Sequence, residues 1–329
     1  MGQMIDGRWQ AGEATEASKG GDFKRQDSGF RDWITADGGA GPDGRPAVRA
    51  QADRYHLYVS HACPWAHRTL IVRALKHLEP LLPVSVVHPL MRDDGWTFRS
   101  GADATGDRAN GLNFLWQLYA KARPDYSGKV TVPVLWDRQE NRIVNNESSE
   151  IIRILNRAFD DLGAARLDLC PQHLEGEIDQ VNARVYDAVN NGVYKAGFAT
   201  TQTAYEAAVS PLFEALDALE ARLNTSDWLV GDQMTEADIR LFTTLIRFDA
   251  VYYSHFKCNL RRIADYPALS RFLQRMMAIP AIAGTVHFDQ IKTHYYASHL
   301  DLNPSGIVPA GPIPPWGAAK QGDHEGRPS

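Results

Sequence analysis

Hydrophobic positions change their spacing near Gly163. Upstream they come as short apolar runs separated by single helical stripes. Downstream they recur only at helical spacing. Tyr55-His56-Leu57-Tyr58-Val59 has the length and the aromatic and β-branched content of a strand. Residues 67–78 set Leu70, Ile71, Ala74, Leu75 and Leu78 on one helical face, and Glu79-Pro80 closes that helix. Residues 84–87 predict a second strand, and residues 113–120 a second helix. Residues 129–136 predict a third strand, interrupted by Pro133, and residues 142–144 a short fourth. Residues 148–159 carry Ile151, Ile152, Leu155 and Phe159 along the apolar face of a third helix. A polar insertion, residues 92–108, holds Gly95-Trp96-Thr97-Phe98.

The order strand, helix, strand, helix, strand, strand, helix is that of a thioredoxin-like sheet. Beyond Gly163 the stripes are Leu174, Ile178, Val181, Val185, Val189, then Val209, Leu212, Phe213, Leu216, Leu219, Leu223. Thr235-Glu236-Ala237-Asp238 is a capping signature ahead of a helix over 239–248. Further helices are expected around 269–277 and 288–296. The fold class is therefore α/β plus all-α, in four segments. Residues 1–50, rich in Gly, Asp and Arg, form an irregular extension that packs Phe23, Phe30 and Trp33 onto the body. Residues 51–162 form the thioredoxin-like domain and residues 173–298 the all-helical one. Residues 299–329 form a Pro/Gly-rich tail. No internal repeat is present.

Composition narrows the function classes. The chain has 329 residues, enough for two domains, and 44% of them are apolar and 23% charged, as in ordinary globular proteins. A net charge of −5 offers no basic footprint for nucleic acid. No apolar stretch has the length of a membrane span, and the polar N-terminus lacks the apolar region of a signal peptide. Three cysteines, Cys63, Cys170 and Cys258, are too few and too scattered for a disulfide framework or a zinc site. Cys170 and Cys258 read as buried small apolar residues. A reducing cytoplasm suits this set, and no metal is expected.

Cys63-Pro64-Trp65-Ala66 opens the first helix directly after the first strand. Backbone N–H groups and the helix dipole favour a thiolate there. Ala66 stands where a dithiol motif has its second cysteine, so a small-molecule thiol must complete any turnover. His61 and His67 flank Cys63 and are able to raise its thiolate fraction, with His67 expected on the exposed or interface face of its helix. Val132-Pro133 interrupts a strand, and a cis bond there would turn the Val132 backbone toward an extended peptide ligand. Glu147-Ser148 precedes a helix, where Ser148 can receive a carboxylate and Glu147 an α-amino group. Each feature has a plainer reading: Pro133 as an edge-strand residue, Ser148 as an N-cap. Their order in this topology favours the joint reading.

A thioredoxin-like half followed by a helical half resembles the glutathione transferases. The resemblance sharpens at Phe23-Lys24-Arg25, Phe30-Arg31-Asp32-Trp33, Cys63-Pro64-Trp65-Ala66-His67-Arg68 and Gly95-Trp96-Thr97-Phe98. It continues through Val130–Asp137, Asn190–Ala199, His255-Phe256-Lys257-Cys258 and His294-Tyr295. Over nearly the whole chain the sequence resembles the glutathionyl-hydroquinone reductases, or Xi-class glutathione transferases. The resemblance implies that a glutathionyl-hydroquinone and free glutathione become hydroquinone and oxidised glutathione. It implies Cys63 as nucleophile and Trp96, Lys129, Val132, Glu147 and Ser148 around the glutathionyl group. Lys129 stands where the family often carries Arg. Tyr194, Tyr252 and Tyr295 match tyrosines of a quinone pocket, although isolated tyrosines more often finish a core. Tyr253 and Tyr296 are core residues or alternates to them. A homodimer is a further implication. An omega-like thioltransferase or dehydroascorbate reductase, and a non-catalytic binding domain, are the alternatives.

Overall fold

The computed structural model describes residues 2–12, 18, 20–312 and 316. The N-terminal extension is less irregular than its composition suggests. Gln3–Ile5 (β1) and Arg8–Gln10 (β2) form an antiparallel hairpin, and Trp33–Thr35 (β3) and Ala47–Arg49 (β4) pair in parallel. At the hairpin turn Gly7 has φ +74°, and a Cβ there would meet Pro124 O at 1.8 Å. Only glycine permits that approach. Phe23, Phe30 and Trp33 are buried, as expected.

Tyr55–Val59 (β5) is followed by the helix Pro64–Leu75 (α1), the strand Val84–Val86 (β6) and the helix Leu115–Ala122 (α2). Val134–Asp137 (β7), Arg142–Asn145 (β8) and the helix Ser148–Arg157 (α3) complete this half. The sheet order is β6-β5-β7-β8, with β5 parallel to β6 and antiparallel to β7. β5 is buried at every position, which explains its unbroken apolar run. The third strand begins at Val134 rather than near residue 129. Pro133 has no N–H for the ladder, and the Val132-Pro133 bond is cis.

The second half contains Glu175–Arg184 (α4), Gly192–Gly197 (α5), Gln202–Leu223 (α6), Glu236–Arg247 (α7) and Tyr253–His255 (α8). Pro267–Met277 (α9), Pro280–Ala283 (α10) and Phe288–Ser298 (α11) follow. The stripe expected through Val189 splits: α4 ends at Arg184 and a π-helical segment, Val185–Asn190, continues it. A second π-helical segment, Phe248–Tyr252, extends α7. All 12 residues of α7 are buried, and the helix packs on α1. Of the expected tail, Lys292 Nζ holds Ala310 O at 2.9 Å, and residues 313–315 and 317–329 lie outside the described residues.

Asp238 performs the expected reach-back. Its Oδ2 accepts from Thr235 N at 2.8 Å and its Oδ1 from Leu229 N at 2.9 Å, so one carboxylate closes the helix start and the preceding loop. Asp238→Ala leaves both buried N–H groups unpaired and is expected to cost about 2–4 kcal/mol. Chemical denaturation measures this, and an unchanged midpoint would contradict the capping account.

Candidate active site

Cys63 is the N-cap of α1, with φ −74° and ψ 123°, and is half-buried. Its Sγ lies 3.6 Å from Val132 O, so the loop before β7 closes one side of the thiol. Arg247, at the end of α7, fixes the other approach. Its Nε donates to Ala62 O at 2.9 Å, and its Nη2 donates to His61 O at 3.0 Å. Its Nη1 reaches Thr243 O at 2.8 Å and His67 Nδ1 at 3.0 Å.

The histidines do not support the thiolate as the sequence suggested, although His67 does lie on the interface face of its helix. His67 is 0% exposed, on the face of α1 turned toward the helical half. Its Nδ1 accepts from Arg247, so its Nε2 carries the proton and donates to Thr285 Oγ1 at 2.8 Å. Burial, and then the Arg247 charge, keep it neutral far below the usual imidazole range. Burial also pushes His61 down to about 3, with His287 and Arg247 adding to the effect. Neither ring supplies a positive charge to Cys63. The thiol itself is pushed up by burial. The N–H groups of Ala66 and Trp65 and the charges of Arg247 and Arg25 pull it down without overcoming that burial. The helix-mouth argument holds in direction and loses in magnitude.

Beside the thiol loop lies a cavity of about 100 Å³ lined by Arg25, Lys129, Val132, Glu147, Ser148 and Tyr186, among others. The structure thus brings four predicted residues together: Lys129, Val132, Glu147 and Ser148. Glu147 caps α3, with Oε1 accepting from Ser149 N at 3.0 Å and Oε2 from Ser28 Oγ at 3.0 Å. Burial raises its carboxyl, but hydrogen bonds from Ser149 and Ser28 and the Arg68 charge outweigh that and hold it below the usual range. A larger cavity, about 490 Å³, opens between β3 and α4; Cys63 lines neither cavity, but Val132, whose carbonyl meets its Sγ, lines the smaller one. Two arginines of the larger cavity are paired with carboxylates, Arg45 with Glu150 and Arg153 with Glu236.

The three predicted tyrosines converge. Tyr295 Oη lies 2.7 Å from Tyr194 Oη and 2.9 Å from Tyr252 Oη. Tyr252 and Tyr295 are buried, whereas Tyr194 is half-buried. Burial raises all three phenols. Gly197 makes room for this group, since a Cβ there would sit 2.2 Å from the Phe256 ring that packs on Tyr194, Tyr252 and Tyr295. Tyr296 stays outside it and hydrogen-bonds Ser254. Trp96 does not line the small cavity. It stacks on His294, ring centroids 4.7 Å apart, and His294 in turn packs edge-on against Tyr295.

Sequence reasoning missed Arg25, Ser28, Trp65 and Arg68. Arg25 is tied to Asn191 at 2.8 Å and stands over Trp65 at 4.6 Å and Tyr194 at 4.9 Å. The run Phe23-Lys24-Arg25 was visible, but nothing in its spacing says that it crosses the molecule to reach the thiol.

The N-terminal domain model of the glutathione S-transferases matches residues 62–158, and the C-terminal domain model matches residues 202–275. Sheet, helical half and helix-capping cysteine thus define a glutathione S-transferase. Glutathionyl-hydroquinone reductase YqjG of Escherichia coli is 56% identical over 95% of both chains. Its glutathione-bound structure superposes with a TM-score of 0.88, covering 96% of this chain and 97% of that one. Glutathionyl-hydroquinone reductase PcpF of Sphingobium chlorophenolicum is 53% identical over 96% of this chain and 97% of its own. A Xi-class transferase structure from Natrialba magadii is 44% identical with a TM-score of 0.89, covering 97% and 96% of the two chains. The chain belongs to the glutathionyl-hydroquinone reductases, the Xi class of glutathione transferases.

The raised Cys63 thiol has a measurable consequence. Alkylation by iodoacetamide follows the thiolate fraction, so in the ligand-free protein its rate should climb about tenfold per pH unit and still rise at about pH 9. Buried Cys170 and Cys258 should stay unlabelled until denaturation. A rate that levels off near pH 7 would contradict the balance of burial and charge described above.

Proposed function

We propose that this protein reduces glutathionyl-hydroquinones at the expense of glutathione through a mixed disulfide on Cys63. The observation that carries this reading is the meeting of one thiol, without a second cysteine nearby, and a chain of three phenols. The Cys63 thiolate attacks the sulfur of the aryl thioether. The new bond joins the Cys63 and glutathione sulfurs, the carbon–sulfur bond breaks, and its electron pair passes to the ring. The ring carbon takes a proton and hydroquinone leaves. A second glutathione thiolate then attacks the glutathione sulfur of the mixed disulfide, releasing oxidised glutathione and the Cys63 thiolate.

The proton source follows from hydrogen-bond counting. Three hydroxyls carry three protons, and two protons are used in the Tyr194–Tyr295 and Tyr252–Tyr295 bonds. One O–H is left over. Tyr194 is the least buried of the three, and its ring lies 6.4 Å from that of Trp65, two residues beyond Cys63, so the reading assigns it the outward proton, relayed from Tyr252 through Tyr295. Raised phenols keep these groups protonated at neutral pH, as general acids require.

For the glutathionyl group, the reading gives the Val132 backbone the peptide, ionised Glu147 the α-amino group, and Ser148 at the start of α3 the adjacent carboxylate. Lys129 serves the glycyl carboxylate. Trp96, on its His294 platform, closes the side nearer the tyrosines. The YqjG structure with glutathione supports that ligand class. No helix of the described residues is long and apolar enough to cross a membrane. The reading also carries a cytoplasmic homodimer without metal, so light scattering should give about twice the 36.6 kDa subunit mass.

Turnover of menadiol–glutathione with glutathione is the deciding assay. Wild-type protein should turn over, and Cys63→Ala should not. Tyr194→Phe should lower kcat about 10²-fold. The same variant should still reduce a simple glutathione mixed disulfide, which needs no ring proton. Wild-type activity on the mixed disulfide alone would assign an omega-like thioltransferase instead. Activity on neither would assign a binding domain.

A further inference from the structure

Arg68 lies on α1, one turn beyond Cys63, and is 1% exposed. Among the described residues its guanidinium hydrogen-bonds only neutral groups. Nη1 donates to Ser148 Oγ at 3.3 Å, Nη2 donates to Asn190 Oδ1 at 2.7 Å, and buried Nε has no partner. Its planar head stands over the Trp65 indole at 4.5 Å. Glu147 is the carboxylate whose charge reaches it, yet the Glu147 oxygens are occupied by Ser28 and Ser149. A buried cation without a bonded counter-ion is costly, and Arg68 is held in place deliberately. Asn190 Nδ2 donates to Arg240 O at 3.0 Å and Thr244 Oγ1 at 2.7 Å, which fixes the amide with its oxygen toward Arg68.

The hydrogen-bond directions then matter. Ser148 lines the small cavity, and its Oγ already accepts from Arg68. Its own proton is left to donate outward, which suits an acceptor and not an amine. The start of α3 adds its dipole in the same direction. We propose that Arg68 is a positioning residue that makes the Ser148 end of the cavity specific for the α-carboxylate of a γ-glutamyl group. It orients the Ser148 hydroxyl as donor and holds a counter-charge behind it, with Asn190 keeping that charge uncompensated. This rests on the glutathione reading above, and deepens it by naming what sets specificity for one of the ligand's two carboxylates.

The test is titration calorimetry with three peptides. Glutathione carries both carboxylates, γ-glutamylcysteine lacks the glycyl one, and 4-aminobutyryl-Cys-Gly lacks the α-carboxylate but keeps the amine. Wild type should prefer glutathione over 4-aminobutyryl-Cys-Gly at least tenfold. Arg68→Gln should weaken glutathione and γ-glutamylcysteine about tenfold and leave 4-aminobutyryl-Cys-Gly unchanged, so the preference collapses. Arg68→Lys should restore part of it. Asn190→Asp keeps Arg68 but gives it an internal counter-ion, and should collapse the preference likewise, which covers the case of an Arg68 variant that fails to fold. Equal weakening of all three peptides in Arg68→Gln, or an undiminished preference in Asn190→Asp, overturns the role. Wild-type binding of glutathione without preference over 4-aminobutyryl-Cys-Gly overturns it too, while leaving the glutathione reading intact. Wild-type failure to bind any of the three overturns that reading and this one together.

Discussion

The contact on which the site depends is the Arg247 guanidinium at the join of the two halves. It is fully buried, and its donors are spent on His61 O, Ala62 O, Thr243 O and His67 Nδ1. Two of those carbonyls belong to the loop that delivers Cys63, so a residue of the helical half sets the position of a thiol in the sheet half. Hydrogen bonds to a charged group are worth about 1.5–3 kcal/mol each, which makes this one of the stronger local restraints. It also dictates the histidine chemistry. A cation donating to Nδ1 forces His67 into the Nε2–H form, and Thr285 Oγ1 completes the chain by donating to Ile282 O at 2.6 Å. The same charge that orients the loop therefore removes the flanking imidazoles as sources of thiolate stabilisation.

What remains near Cys63 is a contest between burial and distributed positive charge. Arg25, Arg68 and Arg247 come from three different segments, and none has a carboxylate at bonding distance among the described residues. Burial wins in the ligand-free protein, and the thiol stays protonated. A protonated thiol is a poor target for oxidants, which suits the proposed nucleophile, with no second cysteine to rescue it. Of the three arginines, Arg25 lines the cavity beside the thiol loop, whereas Arg247 spends its donors on the backbone and His67, and Arg68 stands behind Ser148.

The strand and helix order of the sheet half was legible because each of its elements buries one face, and buried faces write themselves into the hydrophobic period. The cysteine, the Val132-Pro133 pair and Glu147-Ser148 were legible for a different reason, since each sits at an element boundary where residue type has a backbone meaning. Tyr194, Tyr252 and Tyr295 came from family resemblance alone. Nothing in a run of helical stripes says that three phenols 43 and 101 residues apart share one hydrogen-bonded cluster. His67 lies on the interface face of α1 that the sequence allowed, but its partners there, Arg247 and Thr285, were not legible because both lie far along the chain. The split of the 174–189 stripe into an α-helix and a π-helical segment is likewise invisible, because Val185 and Val189 stay buried across the change.

The N-terminal extension shows the same limit from the other side. Its Gly, Asp and Arg content reads as loop, and the family domain models begin only at residue 62. Yet Phe23 stacks on Tyr194 and Phe198, Arg25 stands over Trp65 and Tyr194, Ser28 bonds Glu147, and Arg31 pairs with Glu150. These contacts wall the cavity from outside the sheet and the helical half. A segment with little hydrophobic period of its own is ordered here by the aromatic and charged groups it covers. Its conformation is a property of the site as much as of its own sequence. In a chain whose two halves follow the general transferase plan, this added wall borders both the cavity and the half-buried member of the tyrosine cluster.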